Sequence, residues 1–538
     1  MKAIQPLIQA DFYKMGHYNM YPEGMRMLYS NLTPRKSRLH GINHVVVFMV
    51  QYWAKEYLID QWNENFFNKP KEEVIAKYMR MMNCTLGPKS IDSTHIEQLH
   101  DLGYLPLDIK ALPEGTKCPI KVPMLTIKNT AKGFDWFCSW LVNYLETIGS
   151  CTLWQGMTSA TLAHQYKLIF DHFAMETVGN TDFTAWQGHD FSMRGMSSLE
   201  TACMSGAGHL LSFTGTDTIP AIEWLEQYYN ANVEKELVGA SVPATEHSVM
   251  CMGTKNDEVG TFERLIDKYP TGILSVVSDT WDLWKVCTEY LPAIKAKVLA
   301  RDGKLVIRPD SGDPIDILCG LEGKEGHSVF FRDGQRRIKD NNTGISREIS
   351  EAEYKGVVEL LWETFGGTMT EKGYKLLDSH IGTIYGDSIT MDRATEICER
   401  LKAKGFASIN WVAGIGSYTY QCNTRDTFGF AMKATYGEVV ITTKSEFIEE
   451  NISFVETREI WKDPITDDGT KKSAKGLLAV FKDDKGEYYL KDQCTLEEEK
   501  TGELKTVFLN SKLMKDFSLA EVRANLASYK DVLVLEEA

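Results

Sequence analysis

From about residue 205 onward, short runs of β-branched and apolar residues alternate with polar or glycine-bearing links and then with stretches of helical period. The runs end near Phe213, Val242, Val277, Ile307, Tyr385 and Val412. Most lie roughly 30 residues apart, the length of one strand, one helix and two loops, so the pattern predicts successive βα units and parallel strands. Helix starts fall where such units need them. Pro220 precedes Ile222, Trp224 and Leu225; Pro314 precedes Ile315, Ile317 and Leu318; Thr390 stands ahead of Ala394, Ile397, Cys398 and Leu401, with Gly405 behind. The longer interval between Ile307 and Tyr385 holds a polar excursion around residues 322–350. Its turn chemistry, Arg332-Asp333-Gly334-Gln335 and Asn341-Asn342-Thr343-Gly344, has no helical period and predicts a surface insertion.

The texture differs toward both ends of the chain. Residues 105–130, with Leu107, Ile109, Ala111, Leu125 and Ile127, and residues 429–445, with Phe430, Met432, Val439, Val440 and Ile441, alternate or cluster as in a mostly antiparallel sheet. The expected fold class is α/β: an irregular, truncated βα barrel over 151–429, flanked by a sheet domain built from 1–150 and 430–538.

Composition narrows the function classes. A net charge of −15 over 538 residues disfavours non-specific binding to nucleic acid or an anionic membrane, so any anionic ligand must be met by local arginines and lysines. Eleven cysteines without a C-x-x-C pair or zinc-ligand spacing indicate neither a disulfide framework nor a structural metal. Residues 1–14 lack the basic start and apolar stretch of a signal peptide, and the most apolar segment, Val45 to Val50, is too short to span a bilayer. A cytoplasmic protein is expected.

In a βα barrel, chemistry collects just beyond the C-terminal ends of the strands. Here those positions carry Gly215-Thr216-Asp217-Thr218, Glu246-His247, Ser278-Asp279, Arg308-Pro309-Asp310-Ser311-Gly312, Gly386-Asp387, and Gly414 with Gly416. Any one carboxylate could simply cap the following helix, and Asp279, ahead of Thr280-Trp281-Asp282, is the strongest case for a cap. The Arg308–Pro314 string is the sharpest signal, because it joins a cation, a carboxylate, a flexible glycine and a helix start. That combination suits a sugar phosphate, although an ordinary turn with Arg308 in a structural ion pair stays open. Glycines at 386, 414 and 416 let backbone amides approach phosphate closely. In His189-Asp190-Phe191-Ser192-Met193-Arg194-Gly195 an aromatic ring stands beside an arginine; Phe191 could stack on a planar substrate or be core, and His189 could be a satisfied structural histidine.

Together the segments resemble the nicotinamide phosphoribosyltransferase family. The matching strings are Asp11-Phe12-Tyr13-Lys14 with His17-Tyr18 and Tyr21-Pro22; His189-Asp190-Phe191 with Arg194-Gly195; Ser197-Ser198 with Glu200-Thr201; Gly215 to Thr218; Ser241 to Ala244 with Glu246-His247-Ser248; Ser275 to Asp279; Ile307 to Gly312; Gly386-Asp387; Thr424-Arg425-Asp426; and Lys462-Asp463-Pro464. They run in family order from near residue 11 to beyond 470.

The resemblance implies a homodimer with shared active sites that makes nicotinamide mononucleotide from nicotinamide and phosphoribosyl pyrophosphate. By that resemblance Phe191, and Tyr13 from a partner subunit, sandwich the nicotinamide ring, and Asp217 accepts from its carboxamide. Arg194, His247 and Arg308 hold pyrophosphate, while Asp310, Gly386 and Asp387 hold the ribose and its phosphate region. Ser241, Asp279, Gly416, Ser417 and Arg425 complete the substrate set. Arg35, Lys433, Lys462 and Lys471 join Arg425 as phosphate-binding cations, several of them across the dimer interface. Mg²⁺, held mainly by the pyrophosphate, and ATP, as a coupled phosphate donor to His247, are the implied cofactors; no metal-ligand set of the protein's own is assigned.

The chain departs from the family pattern at Ser192 and Met193, where glycine and tyrosine are usual, and at Gly414-Ile415-Gly416-Ser417-Tyr418, where a run of glycines is usual. The substrate hangs on Asp217. A carboxylate there favours an amide donor and repels nicotinate; were it turned away, nicotinate would be the substrate. A catalytically silent nucleotide-binding regulator and an unrelated βα-barrel hydrolase or lyase are the other classes open.

Overall fold

The computed structural model describes residues 4–130, 135–386, 388–444, 451–462, 465–466 and 474–529. The described residues divide into two units, one lying within 4–161, 224–231 and 423–529, the other within 162–223 and 232–422.

The first unit is built on a seven-stranded sheet in the spatial order Asn451–Glu459, Phe430–Lys444, Met25–Pro34, Leu125–Asn129, Leu107–Ala111, Lys505–Leu509 and Lys512–Leu513. Every neighbouring pair is antiparallel, as the alternating texture predicts. Leu107, Ile109 and Ala111 are buried while Asp108 and Lys110 between them are not, the period-2 signature of a strand with one face on the core. Strand Met25–Pro34, third in that order, pairs with Phe430–Lys444 on one side and Leu125–Asn129 on the other, placing Asn31 opposite Lys433. Helix Asp135–Thr152 packs across it and buries Leu141, Val142 and Leu145.

The second unit contains the predicted parallel strands. Their order is Gly215–Thr216, Gly188–Asp190, Trp411–Ile415, Ile381–Tyr385, Asp302–Arg308 and Thr271–Val277, each parallel to its neighbour. The expected strand ending near Val242 does not form as a ladder. The segment instead makes one parallel bridge to each edge of the sheet, Ala240 with Gly215 and Ala244 with Ser275. Thr216 N donates to Ala240 O and Ala240 N to Thr214 O, while Thr245 N donates to Ser275 O and Ser275 N to Pro243 O. Pro243 has no amide to donate, so the segment cannot extend a regular ladder, yet it closes the ring. The run through Phe213 likewise forms its strand slightly later, at Gly215–Thr216.

Helices begin where the cap chemistry places them. Thr390 accepts from Arg393 N ahead of Met391–Ala403, and Gly405 turns the chain at φ 76° behind it. Asp313 accepts from the amides of Ile315 and Asp316, with Pro314 as the first residue of its helix. The excursion near 322–350 is more ordered than its turn chemistry suggests. It forms a three-stranded antiparallel sheet, His327–Arg332, Gln335–Asp340 and Ser346–Glu348. Asp333 and Gly334, both at positive φ, make the two-residue turn between Arg332 and Gln335, and Leu321, Ile338 and Ile349 supply a small core.

The ring interior is not filled by stacked side chains. A cavity of about 150 Å³ is lined by Phe191, Asp217 and Ser241 at one end and by Lys304, Gly382 and Asn410 toward the other. Among the described residues no helix is long and apolar enough to cross a membrane. Because Thr390 satisfies an otherwise orphan amide, Thr390→Ala should lower unfolding stability by about 1 kcal/mol. A urea midpoint that does not move would remove the cap's contribution.

Candidate active site

The residues predicted to carry chemistry in the second unit line one mouth, at the C-terminal ends of the ring strands. Asp217 follows strand Gly215–Thr216, and its Oδ1 accepts from His189 Nε2 at 2.8 Å and from Ser241 Oγ at 2.6 Å. Partial burial works against a charge here. The hydrogen bonds from His189 and Ser241, together with the positive fields of His189 and Arg308, outweigh it and hold the carboxyl below its usual range. Both contacts fall on Oδ1, leaving Oδ2 as the acceptor for a ligand. Phe191 stands next to this carboxylate, its ring 4.7 Å from that of His189, with the Arg308 guanidinium 5.9 Å from its centroid. A planar ring and a fixed acceptor thus share one wall of the cavity, with a cation beside them.

Arg308 ends strand Asp302–Arg308. Burial pushes its pKa down from the ordinary value, and the carboxylates of Asp310 and Asp217 push back, so a guanidinium stripped of much of its water faces two acids. Asp279 is not the helix cap it resembles in sequence. Asp282 caps the next helix by accepting from Lys285 N, whereas Asp279 Oδ2 accepts from Asp310 N at 2.8 Å and Oδ1 lies 3.3 Å from His247 Nε2. One carboxylate therefore holds the Arg308–Asp310 loop and faces the first residue of the helix that starts at His247.

The glycines are required by close approach. A Cβ on Gly414 would lie 2.6 Å from Tyr385 O and 2.7 Å from the Phe191 ring, and one on Gly386 would collide with Asp310 Oδ1. Gly416 precedes the short helix Ser417–Gln421. Ser417, at a position where glycine was expected, sits against Gly195, whose missing Cβ leaves room for the Ser417 hydroxyl. Arg194 is exposed on the same turn. Asp387 lies outside the described residues.

The remaining predicted residues belong to the first unit. Tyr13 is 63% exposed, and its neighbour Lys14 is buried with Nζ 2.7 Å from Glu146 and 2.6 Å from Asn143 O. Ser30 donates to the other Glu146 oxygen, so the short helix Phe12–Asn19 is pinned to strand Met25–Pro34 and its packing helix. Arg35, Arg425, Lys433 and Lys462 form a cationic group. Burial, and then repulsion from Arg35, Lys462 and Arg425, lowers the Lys433 pKa. Lys471 lies outside the described residues. The sequence reading missed His189 as the partner of Asp217, and it missed the buried pair His209 and Tyr420. Nothing in local spacing signals contacts that span 28 and 211 residues.

A closed parallel βα ring in one unit and an antiparallel sheet in the other are the two components of the type II phosphoribosyltransferase fold. The solved nicotinate-nucleotide pyrophosphorylase of Pyrococcus furiosus shares this fold, with a TM-score of 0.51 at 13% identity over 98% of this chain and 97% of that one. Residues 186–512 match the nicotinate phosphoribosyltransferase (NAPRTase) family, and residues 5–84 match the N-terminal domain of nicotinamide phosphoribosyltransferase. The nicotinamide phosphoribosyltransferase of Acinetobacter baylyi is 47% identical over 98% of this chain and 99% of its own length, and that of Mycoplasma pneumoniae 33% identical over 80% and 89%. The chain belongs to the nicotinate phosphoribosyltransferase family and, within it, to the nicotinamide phosphoribosyltransferases.

The contact between Gly195 and Ser417 makes a sharp test of the mouth. Gly195→Ala should cut turnover about tenfold or more by displacing the Arg194 turn, and adding Ser417→Gly should restore most of it. Failure of the second substitution to rescue the first would separate this contact from activity.

Proposed function

We propose that the protein transfers the 5-phosphoribosyl group of phosphoribosyl pyrophosphate to nicotinamide, releasing pyrophosphate and nicotinamide mononucleotide on the route to NAD. The observation that carries this reading is Asp217. It is an ionised carboxylate with one oxygen fixed by His189 and Ser241 and the other free, beside the Phe191 ring. The carboxamide NH₂ of nicotinamide donates to that free oxygen; the carboxylate of nicotinate meets repulsion instead.

In the reaction the anomeric C–O bond to pyrophosphate breaks, the ring nitrogen forms the new C–N bond, and the electron pair leaves with pyrophosphate. The intermediate sugar has oxocarbenium character, so no side-chain nucleophile is needed and positioning with charge stabilisation supplies the rate. Phe191 and Asp217 orient the base. Arg308 and Arg194 stabilise the departing pyrophosphate, and Asp310 accepts from ribose hydroxyls. Asp310 and Asp279 are hard oxygen donors that, with the substrate's own phosphates, suit Mg²⁺, which supplies charge neutralisation when bound. Among the described residues no cluster of three or more ligating side chains forms a separate cage.

His247, with Nε2 toward Asp279, is the histidine we assign to phosphorylation by ATP. The exposed Tyr13 is assigned to completing the neighbouring subunit's site in a homodimer, and Arg35, Arg425, Lys433, Lys462 and Lys471 to holding phosphates, several of them across the dimer interface. All ten cysteines described are free thiols, in keeping with a reducing cytoplasm.

The decisive assay supplies the purified protein with phosphoribosyl pyrophosphate, Mg²⁺ and each base in turn. Pyrophosphate and mononucleotide should form with nicotinamide; activity with nicotinate alone would overturn the substrate, and silence with both would favour a regulator. Asp217→Asn should lower kcat/KM for nicotinamide about a hundredfold, roughly the value of a charge-assisted hydrogen bond, and narrow the preference over nicotinate. The Asp217 carboxyl is lowered, so its charge persists as pH falls until that lowered value is crossed. The preference should therefore stay flat from about pH 8 to pH 5. His247→Ala should abolish ATP stimulation while retaining transfer, and undiminished stimulation would remove that role.

A further inference from the structure

Tyr420 is fully buried in the helical turn Ser417–Gln421, and its hydroxyl lies 2.7 Å from His209 Nδ1. The other ring nitrogen, Nε2, lies 3.0 Å from the carbonyl oxygen of Gly215. A carbonyl can only accept, so Nε2 carries the proton, Nδ1 is bare, and Tyr420 donates to it. His209 is itself fully buried and stacked on Phe213, and burial drives its pKa down to about 4, so the ring stays neutral and the direction of the chain is fixed. The chain begins three residues from Ser417 and ends two residues from Asp217.

The turn is held at other points as well. Gln421 Oε1 accepts from Ser197 N at 2.8 Å, and Thr419 Oγ1 lies 3.1 Å from the Tyr166 hydroxyl. Gly215 has no slack either, since a Cβ there would lie 2.7 Å from His189 Nδ1. His209 thus joins two rigid loops that carry opposite ends of the site.

We propose that Tyr420 and His209 are positioning residues: their hydrogen-bonded chain sets the spacing between the loop that presents Asp217 to the base and the turn that presents Gly416 and Ser417 to the sugar phosphate. The proposal rests on the substrate reading above. Neither side chain touches substrate. They act because base nitrogen and anomeric carbon must meet within a few tenths of an ångström, and a misplacement of about 1 Å costs on the order of a hundredfold.

Tyr420→Phe removes one oxygen and keeps the ring. It should remain folded by thermal melt and bind pyrophosphate and nicotinamide separately within about threefold of wild type, yet lose about tenfold in kcat at little-changed KM. His209→Gln should do the same, and the double variant should lose about as much as either single one, because both cut one chain. Unchanged kcat in Tyr420→Phe, a loss confined to KM, or losses that multiply to about a hundredfold in the double variant would each overturn the positioning role. A wild-type protein that binds neither nicotinamide nor phosphoribosyl pyrophosphate would instead bring down the substrate reading.

Discussion

The mouth depends on how the parallel ring is closed. Six strands leave two open edges, and residues 240–245 bridge them through four backbone hydrogen bonds, two on each side. The same segment carries Ser241, whose hydroxyl holds Asp217, and leads directly into Glu246 and His247. Closure and site geometry are therefore one event: a segment too irregular to be a strand holds Asp217 through Ser241 on one side and places His247 Nε2 3.3 Å from Asp279 on the other. An isolated pair of bridges is weaker than a ladder, and Thr245 reinforces it by accepting Val277 N on its side chain.

Electrostatics follows the same local logic. The chain is acidic overall, at −15, so its attraction for phosphates is not a property of its net charge. It arises where cations are held together against their own repulsion, as at Lys433 with Arg35, Arg425 and Lys462, or kept short of water, as at Arg308. Each such group is destabilised alone and would be relieved by an anion. Asp217 is the converse case. Its donors overcome burial so that it remains a carboxylate.

What was legible in the sequence was whatever depends on near neighbours. The Arg308–Pro314 string was readable because cation, carboxylate, cap and helix start are adjacent, and the structure places Arg308 at a strand end with Asp313 capping the next helix. The parallel rhythm and the antiparallel texture were readable because burial imposes its period on each strand. Strand Gly188–Asp190 was not, being three residues long with no β-branched side chain. Nor was the irregular bridge at Val242, where Pro243 removes a donor inside an apolar run. Asp279 was read as a cap because it and Asp282 both precede the same helix, and only the folded loop decides which one turns inward. His189 offered two readings, and a partner 28 residues away settled them.

The departure at Ser417 shows how such a site tolerates change. A glycine run supplies amides by being free of side chains; here a helical turn supplies them by being anchored. Ser417 occupies the space left by Gly195, Gln421 holds the amide after the Arg194 turn, and Tyr420 reaches into the core. Flexible glycines lose conformational entropy when they close on a ligand, whereas a turn fixed at several points has already lost it on folding. The anchored turn is thereby joined, through Tyr420 and His209, to the carbonyl of Gly215, two residues before Asp217, by buried hydrogen bonds.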